Sequence, residues 1–225
     1  MQLKLDLHVH SHFSADSVIT PKELLFHAKK RGLNGVAITD HDRINGALKI
    51  AKEIELFIIP GIEVSSQKGH IVGLGVRECI SSRLSVDETV DRIHEAGGLA
   101  VACHPGALVK GGLGKHVTSR FDTVETINAS AVPFKRSIRL SQQLASQAGI
   151  SSSVGGSDAH YASEIGYAYT MVDAEEEIGE VTKAIKAGLC KPFGEAIPIT
   201  MRLKRRYLTT LKKIGIPRST GDPRI

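Results

Sequence analysis

Two short segments of this 225-residue sequence carry metal-binding side chains two residues apart. The first is Asp6-Leu7-His8-Val9-His10, and in an extended strand the imidazoles of His8 and His10 point to the same side. The second, Ser157-Asp158-Ala159-His160, repeats this spacing with a carboxylate and an imidazole. Imidazole and carboxylate together suit divalent ions such as Zn²⁺, Mn²⁺ and Fe²⁺. The two segments therefore predict a divalent metal site.

Four further segments add side chains of the same kind where apolar stretches begin or end. They are Thr39-Asp40-His41-Asp42, Gly61-Ile62-Glu63-Val64, His70-Ile71-Val72-Gly73 and Cys103-His104-Pro105-Gly106. Burying so many titratable groups without a cation would cost several kcal/mol for each, so packing alone is a poor explanation of the pattern.

Apolar stretches typical of strands alternate with amphipathic stretches typical of helices, and these elements must position the ligands. Thr20 with Glu23, and Ser85 with Glu88, are capping boxes that predict helix N-termini. The pattern predicts helices over 21–30, 45–55, 86–96, about 136–148 and about 175–187. It predicts strands over 3–9, 35–39, 56–62, 70–76, 99–103, 123–127, 152–155 and 167–172.

Repeated strand–helix units indicate a mainly parallel sheet covered by helices. The sequence contains neither GxGxxG nor GxxxxGK[ST], which favours a barrel over an open nucleotide-binding sheet. In a parallel barrel the C-terminal strand ends meet on one face, so ligands far apart in the sequence can converge there.

The composition excludes several other classes of protein. With 41% hydrophobic and 24% charged residues, the chain is typical of a globular protein. There is no apolar run of about 18 residues, which argues against a membrane span, and Met1 leads directly into a strand-like segment rather than a signal peptide. Three widely spaced cysteines predict no disulfide framework, so we expect a cytoplasmic protein.

The net charge of +5 is unevenly distributed. Residues 202–225 contain eight Lys or Arg and one Asp, whereas the rest of the chain contains 21 basic and 23 acidic residues. We therefore predict a barrel over residues 1–200 and a basic C-terminal extension over 201–225, formed by a helix and then a flexible end. The extension is either a solvated amphipathic helix or a contact for nucleic acid or another anionic partner.

The six motifs HVHSHFSADS, ITDHD, GIEVS, HIVGLG, CHPG and GSDAH resemble, in order, those of the PHP (polymerase and histidinol phosphatase) family. This resemblance implies a distorted seven-stranded (β/α) barrel of the TIM-like type. It also implies a metal-dependent phosphoesterase centre that holds two or three Mn, Zn or Fe ions.

The resemblance assigns nine metal ligands to this sequence. One metal would be held by His8, His10, Glu63 and Asp158, and a second by Asp16, His41 and His160. A third would be held by His70 and His104, with Glu63 bridging it to the first. All nine positions carry the expected residue type, which favours an active enzyme.

The implied chemistry is hydrolysis of a phosphomonoester by a metal-bound hydroxide, without a Ser or Cys nucleophile. Asp40 or Asp42 is a candidate acid or base beside the metals. Arg43, Lys110, Lys115 and Arg120 are candidate contacts for the substrate phosphate, and the glycine-rich loop at 111–114 could approach a phosphate through its N–H groups. By strand alternation, Cys103 should point away from His104 as an inert buried thiol.

The substrate stays open among a nucleotide, a bisphosphonucleotide and an oligonucleotide end. His70 and His104 are only 34 residues apart, so the inserted cap of the bisphosphate phosphatases is absent, and their Arg after HPG is missing too. A histidinol-phosphate-type phosphatase is one alternative, and an RNA-binding barrel subunit of a ribonucleoprotein is another. An amidohydrolase is disfavoured by Asp16 and by the closing Asp158-Ala159-His160. The oligomeric state is not predicted.

Overall fold

Strands and helices alternate along most of the chain in the computed structural model, which describes residues 1–108 and 111–213. The strands are β1 (Gln2–Val9), β2 (Gly35–Ile38), β3 (Phe57–Ser66), β4 (Gly69–Leu74), β5 (Leu99–Ala102), β6 (Thr123–Asn128), β7 (Ser153–Gly156), β8 (Ala168–Asp173) and β9 (Cys190–Gly194). The helices are α1 (Pro21–Lys30), α2 (Asn45–Glu53), α3 (Val86–Glu95), α4 (Phe134–Gln147), α5 (Ile178–Lys186) and α6 (Ile199–Lys213).

Both predicted capping boxes are present. The Glu23 carboxylate accepts a hydrogen bond from Thr20 N at 2.9 Å, and Thr20 Oγ1 accepts one from Glu23 N at 3.4 Å. Ser85 and Glu88 make the same reciprocal pair at the start of α3. These bonds satisfy backbone N–H groups that lack a partner within the helix, and so they determine where α1 and α3 begin.

The strands form one sheet in the order β7-β6-β5-β4-β3-β2-β1-β8-β9, which curves into a nearly closed barrel. The segment after β7 lies against β1, because Asp158 N donates to His8 O at 2.8 Å and Val9 pairs with Ala159. The buried Asp6 carboxylate accepts further bonds from Ser157 N and Gly166 N, both at 2.8 Å. This closure confirms the distorted barrel, although the described residues contain nine strands rather than seven.

The sheet is half antiparallel, whereas the strand–helix alternation predicted a mainly parallel one. β1–β2, β2–β3, β5–β6 and β6–β7 are parallel, and β3–β4, β4–β5, β1–β8 and β8–β9 are antiparallel. β3 and β4 are joined by two residues, and so short a turn permits only an antiparallel pair. β9, which the pattern missed, contains Pro192 and Gly194, residues that weaken a strand signal but are tolerated at an edge.

Two clusters of buried apolar side chains lie on opposite faces of the sheet. One lines the barrel interior with Leu3, Leu5 and Val172 and includes Val181 and Ile185 of α5. The other packs the outer face against α1, α2, α3 and α4. Because successive strand residues point to opposite faces, both clusters draw on the same strands.

The C-terminal extension begins as a helix, since α6 starts at Ile199. The predicted flexible end, beyond Lys213, lies outside the described residues. Within the part of the chain that the structure describes, no helix is both long and apolar enough to span a bilayer. The cytoplasmic location stays a prediction.

Candidate metal centre

All nine predicted ligand side chains lie at one end of the barrel and form overlapping groups of nitrogen and oxygen atoms. β1, β3 and β4 carry three of them directly, His8, Glu63 and His70. The others lie in the segments that follow β1, β2, β5 and β7. In chain order the nine are His8, His10, Asp16, His41, Glu63, His70, His104, Asp158 and His160.

The Glu63 carboxylate is the centre of this cluster. Its Oε2 atom lies 3.2 Å from His8 Nε2, 3.1 Å from His10 Nε2 and 3.4 Å from His41 Nδ1. Its Oε1 atom lies 2.8 Å from His70 Nδ1 and 3.0 Å from His104 Nε2. Burial would raise the pKa of Glu63, but the charges of His41 and His8 and the bonds from the other imidazoles hold it well below its usual range. One buried carboxylate thus contacts five imidazoles.

A second group surrounds Asp16 on the more open side of the centre. Asp16 Oδ2 lies 3.0 Å from His160 Nε2 and 3.4 Å from His41 Nε2, and His10 belongs to the same group. Burial opposes the charge on Asp16, but the bonds from His160 and His41 outweigh it and lower the pKa of this carboxyl strongly. Ser14 Oγ donates to Asp16 Oδ1 at 2.6 Å and helps to orient the carboxylate.

Asp158 joins the two groups. Its Oδ1 atom lies 3.4 Å from His160 Nδ1, 3.5 Å from His10 Nε2 and 3.9 Å from His8 Nε2. Asp158 has φ of 54°, in the left-handed region that few non-glycine residues adopt. This turn directs its carboxylate toward the imidazoles of His8 and His10.

Glu125 of β6 belongs to the site but was missed by the sequence analysis. Its carboxylate is buried, lies 3.1 Å from His8 Nδ1, and accepts hydrogen bonds from His104 N at 2.8 Å and Asn128 Nδ2 at 3.0 Å. Burial would lower the pKa of His8, but Glu125, Glu63 and Asp158 together raise it well above its usual value. An acidic residue inside the apolar stretch Thr123–Asn128 was the available signal.

The Cys103 side chain does not point away from the site, although strand alternation predicted that it would. The thiol is buried as predicted, but its Sγ atom lies 3.6 Å from Glu63 Oε1, on the same carboxylate oxygen that contacts His104. The reason is that His104 has φ of 31°, so the strand alternation stops at Cys103. Burial and the surrounding carboxylates raise the pKa of this thiol well above its usual value, which keeps it protonated in the absence of a metal.

The two candidate acid–base residues hold backbone groups. Asp40 is buried and accepts from both Ser11 N and Ser11 Oγ at 2.7 Å, so it fixes the loop that follows β1. Burial also raises the pKa of Asp40. Asp42 is half-buried, and its Oδ1 atom accepts from Ser65 N at 2.7 Å.

The four candidate phosphate contacts lie in different surroundings. Arg120 pairs with Asp91 and Asp87 of α3, so its charge is engaged there and not at the metal centre. Arg43 is exposed and donates to Phe13 O at 3.0 Å, and Lys115 is exposed in a short 3₁₀ turn. Lys110 lies outside the described residues.

The glycine-rich loop lies against His70. His70 N donates to Gly111 O at 2.8 Å, and a Cβ atom on Gly111 would stand 2.9 Å from His70 Nε2. Gly111 also has φ of 60°, a conformation that glycine adopts without strain. Only a residue without a side chain lets this loop approach the imidazole so closely.

The donor set fits divalent cations. His8 Nε2 and His10 Nε2 lie 3.2 Å apart, and two imidazole nitrogens facing each other cannot both carry a proton at that distance without repulsion. His10 Nδ1 and His104 Nδ1 are buried and have no hydrogen-bond partner among the described residues. Burial would lower the pKa of His10, but the bonds to Asp158 and Glu63 raise it to about 9. Such a buried set of imidazoles and carboxylates is typical of a site for Zn²⁺, Mn²⁺ or Fe²⁺.

Several known proteins are similar to the chain in sequence. MJ1587, an uncharacterized protein of Methanocaldococcus jannaschii, is 38% identical over 141 residues, which are 56% of this chain and 82% of that protein. A 5'-3' exoribonuclease of Haemophilus influenzae is 44% identical over 81 residues, 33% of this chain and 29% of the exoribonuclease. A 3',5'-nucleoside bisphosphate phosphatase of Chromobacterium violaceum is 34% identical over 122 residues, 46% of this chain and 42% of the phosphatase. The chain thus spans less than half the length of either named enzyme.

A solved structure supports the fold. It is a two-domain protein from Bacteroides vulgatus that contains a predicted PHP-like metal-dependent phosphoesterase. It matches with a TM-score of 0.68 and 16% sequence identity, over 93% of this chain and 70% of that one. A model of the PHP domain family matches residues 6–190, the range that contains all nine predicted ligands. Both named relatives act on phosphoric ester bonds, the class of reaction that the motifs predicted. The chain belongs to the PHP domain family of metal-dependent phosphoesterases.

Proposed function

We propose that the chain hydrolyses a phosphomonoester on a nucleotide, a bisphosphonucleotide or an oligonucleotide end, with two or three divalent metal ions as cofactors. The observation that carries the proposal is the buried Glu63 carboxylate in contact with five imidazoles. When bound, the ions would lower the pKa of a water molecule and neutralise the phosphate charge.

The residues would divide the binding of these ions as the motifs predict. His8, His10, Glu63 and Asp158 would hold one ion, and Asp16, His41 and His160 a second. His70 and His104 would hold a third with Glu63, in agreement with their short distances to the same carboxylate oxygen.

Substrate would enter on the side of Asp16, His41 and His70. The side chains of these residues are 39%, 26% and 27% exposed, whereas the His8 and His10 side chains are at most 2% exposed. Arg43, Lys115 and the N–H groups of the glycine-rich loop are the proposed phosphate contacts. Asp42 is the proposed acid or base, while Asp40 is proposed to position the loop after β1.

The named relatives support a substrate with a nucleotide component, since one is an exoribonuclease and another a bisphosphate phosphatase. The basic extension supports the same class, because Lys204 and Arg206 are exposed on α6 and attract polyanions. A nucleic-acid contact through the extension is therefore part of the proposal.

A substrate screen tests the proposal. The full chain, loaded with Mn²⁺ or Zn²⁺, is assayed for phosphate release from nucleotides, bisphosphonucleotides, short oligonucleotides and histidinol phosphate. We expect release from a nucleotide-type substrate and a loss of at least about 100-fold in Glu63→Gln, with Glu53→Gln, an exposed glutamate on α2, as the matched control. Phosphate release from histidinol phosphate alone would contradict a nucleotide-type substrate and favour the histidinol-phosphate alternative. Phosphate release from none of the substrates would favour the RNA-binding alternative.

A further inference from the structure

Arg202, in the first turn of α6, binds three backbone carbonyl groups. Its Nε atom donates to Ile197 O at 2.9 Å, and its two terminal nitrogens donate to Ser130 O at 2.7 Å and Ala129 O at 2.9 Å. The planar guanidinium fork makes such a contact with several acceptors rigid. The C-terminal extension is thereby attached to the turn that follows β6.

The same turn holds the Asn128 side chain. Asn128 Oδ1 accepts from Ser130 N at 3.0 Å, so the amide is oriented by the residue whose carbonyl group Arg202 binds. Asn128 Nδ2 donates to Glu125 Oε2 at 3.0 Å and contacts Asp158 Oδ2 at 3.4 Å. The orientation of this amide therefore depends on the position of the turn.

Glu125 and Asp158 continue the chain of contacts into the metal centre. Glu125 lies 3.1 Å from His8 Nδ1 and accepts from His104 N at 2.8 Å. Asp158 lies 3.4 Å from His160 Nδ1. Unbroken polar contacts thus run from Arg202 through Ser130 and Asn128 to four of the proposed metal ligands.

We propose that Arg202 is a positioning residue of the metal centre, acting through the 128–130 turn on Asn128, Glu125 and Asp158. The basic extension is then part of the catalytic unit and not only a surface for anionic partners. The inference rests on the proposed metal centre. Removal of a residue that hydrogen-bonds to a metal ligand typically lowers the metal affinity by about 10–100-fold.

The fold keeps other attachments at this point. Ile197 N donates to Ala129 O at 3.0 Å, and Ile197 packs with Ala129 and Ala168 in a buried cluster. Substitution of Arg202 should therefore loosen the turn without detaching the preceding segment. Because the segment stays attached, a loss of metal affinity in such a variant would reflect the positioning of the turn and not unfolding of the extension.

The first test measures metal affinity directly. Metal-free full-length protein is titrated with Mn²⁺, and free Mn²⁺ is followed by electron paramagnetic resonance. We expect Arg202→Gln to weaken the tightest Mn²⁺ binding by about 10-fold or more. Arg202→Lys, which can replace only part of the fork, should be intermediate, and Arg139→Gln, an exposed arginine on α4, should match the wild type.

Thermal unfolding of the metal-free variants separates the two roles. A positioning role predicts weaker Mn²⁺ binding with a nearly unchanged Tm of the metal-free protein. Wild-type Mn²⁺ affinity in a folded Arg202→Gln protein would overturn the proposal, whether or not Tm falls. Should Arg202→Gln fail to fold, the Lys variant decides in the same way.

A double-mutant cycle tests the route. Asn128→Ala should weaken Mn²⁺ binding by itself, and adding Arg202→Gln should weaken it little further, because the route is already broken. Fully multiplicative losses in the double variant would overturn the proposed route. These readouts do not depend on turnover: a wild-type protein that binds Mn²⁺ but releases no phosphate would defeat the proposed function and leave the role of Arg202 intact.

Discussion

Glu125 and Glu63 contact opposite nitrogens of the same imidazole: Glu125 Oε1 lies 3.1 Å from His8 Nδ1, and Glu63 Oε2 lies 3.2 Å from His8 Nε2. A carboxylate at Nδ1 favours the tautomer with the proton on that atom. In that tautomer Nε2 is free of a proton and could serve as the metal ligand that we propose, which would give the buried acid of β6 a role.

Glu125→Gln should weaken both metal binding and stability. The variant keeps one acceptor oxygen but presents an NH₂ group to a site with three donors, His8 Nδ1, His104 N and Asn128 Nδ2. We expect Mn²⁺ affinity to fall by about 10-fold or more and the free energy of unfolding by about 1–3 kcal/mol. Mn²⁺ titration and urea unfolding measure the two effects, and Glu95→Gln on the exposed side of α3 is the control. Unchanged values for Glu125→Gln would contradict this role.

Removal of metal should lower the melting temperature of the folded protein. The centre brings four buried or partly buried carboxylates, Asp16, Glu63, Glu125 and Asp158, against a cluster of imidazoles, and divalent ions that bind only the folded state stabilise it by mass action. Differential scanning calorimetry before and after chelation, followed by addition of Mn²⁺, measures the change. A Tm that rises with Mn²⁺ concentration is expected, and a Tm independent of Mn²⁺ would argue against a metal centre.

Gly111→Ala should disturb the His70 side of the centre more than an equivalent substitution elsewhere. Both Gly111 and Gly149 have positive φ, at 60° and 70°, so alanine strains either backbone by about 1 kcal/mol. A Cβ atom at Gly111 would also stand 2.9 Å from His70 Nε2, whereas nothing lies within 4 Å at Gly149. We expect Gly149→Ala to lower stability only, and Gly111→Ala to lower kcat for phosphate release as well. Equal kinetics in the two variants would refute the proposed contact.

Asp122 should make a pH-dependent contribution to stability. Burial would raise its pKa, but the Lys186 ammonium at 2.8 Å, Ala100 N and His94 hold that pKa below its usual value. A lowered folded-state pKa means that the folded protein retains the charge in acid longer than the unfolded chain does. The stabilisation is therefore complete above the unfolded pKa of about 4 and is lost as the pH falls through the lower folded-state value.

The measurement compares wild type with Asp122→Asn in metal-free protein. The difference between their free energies of unfolding in urea should be larger at neutral pH than at about pH 3. In metal-free protein the other acidic groups titrate in the same way in the wild type and in Asp122→Asn, so their contributions cancel in the difference. A difference independent of pH would show that Asp122 makes no such contribution.

Much of the candidate metal centre could be predicted from local spacing, since the nine predicted residues do lie together. His8 with His10, and Asp158 with His160, are two residues apart, and each remaining predicted ligand belongs to a short motif beside an apolar stretch. These motifs also predicted the family and its barrel. Local spacing was sufficient because consecutive strand ends converge on one face of a barrel, whatever the details of the loops.

The partners of those ligands depend on the tertiary structure. Glu125 lies 117 residues from His8 in the sequence, and Arg202 lies 72 residues from Ser130, so no short pattern connects them. The antiparallel strands and the left-handed turn at His104 also decide which side chains meet, as the misplaced Cys103 shows. The sequence alone determined which residue types could bind metal. Only strand register and turn conformation decided which carboxylate faces which imidazole, because hydrogen bonds between distant segments exist only once those segments are packed together.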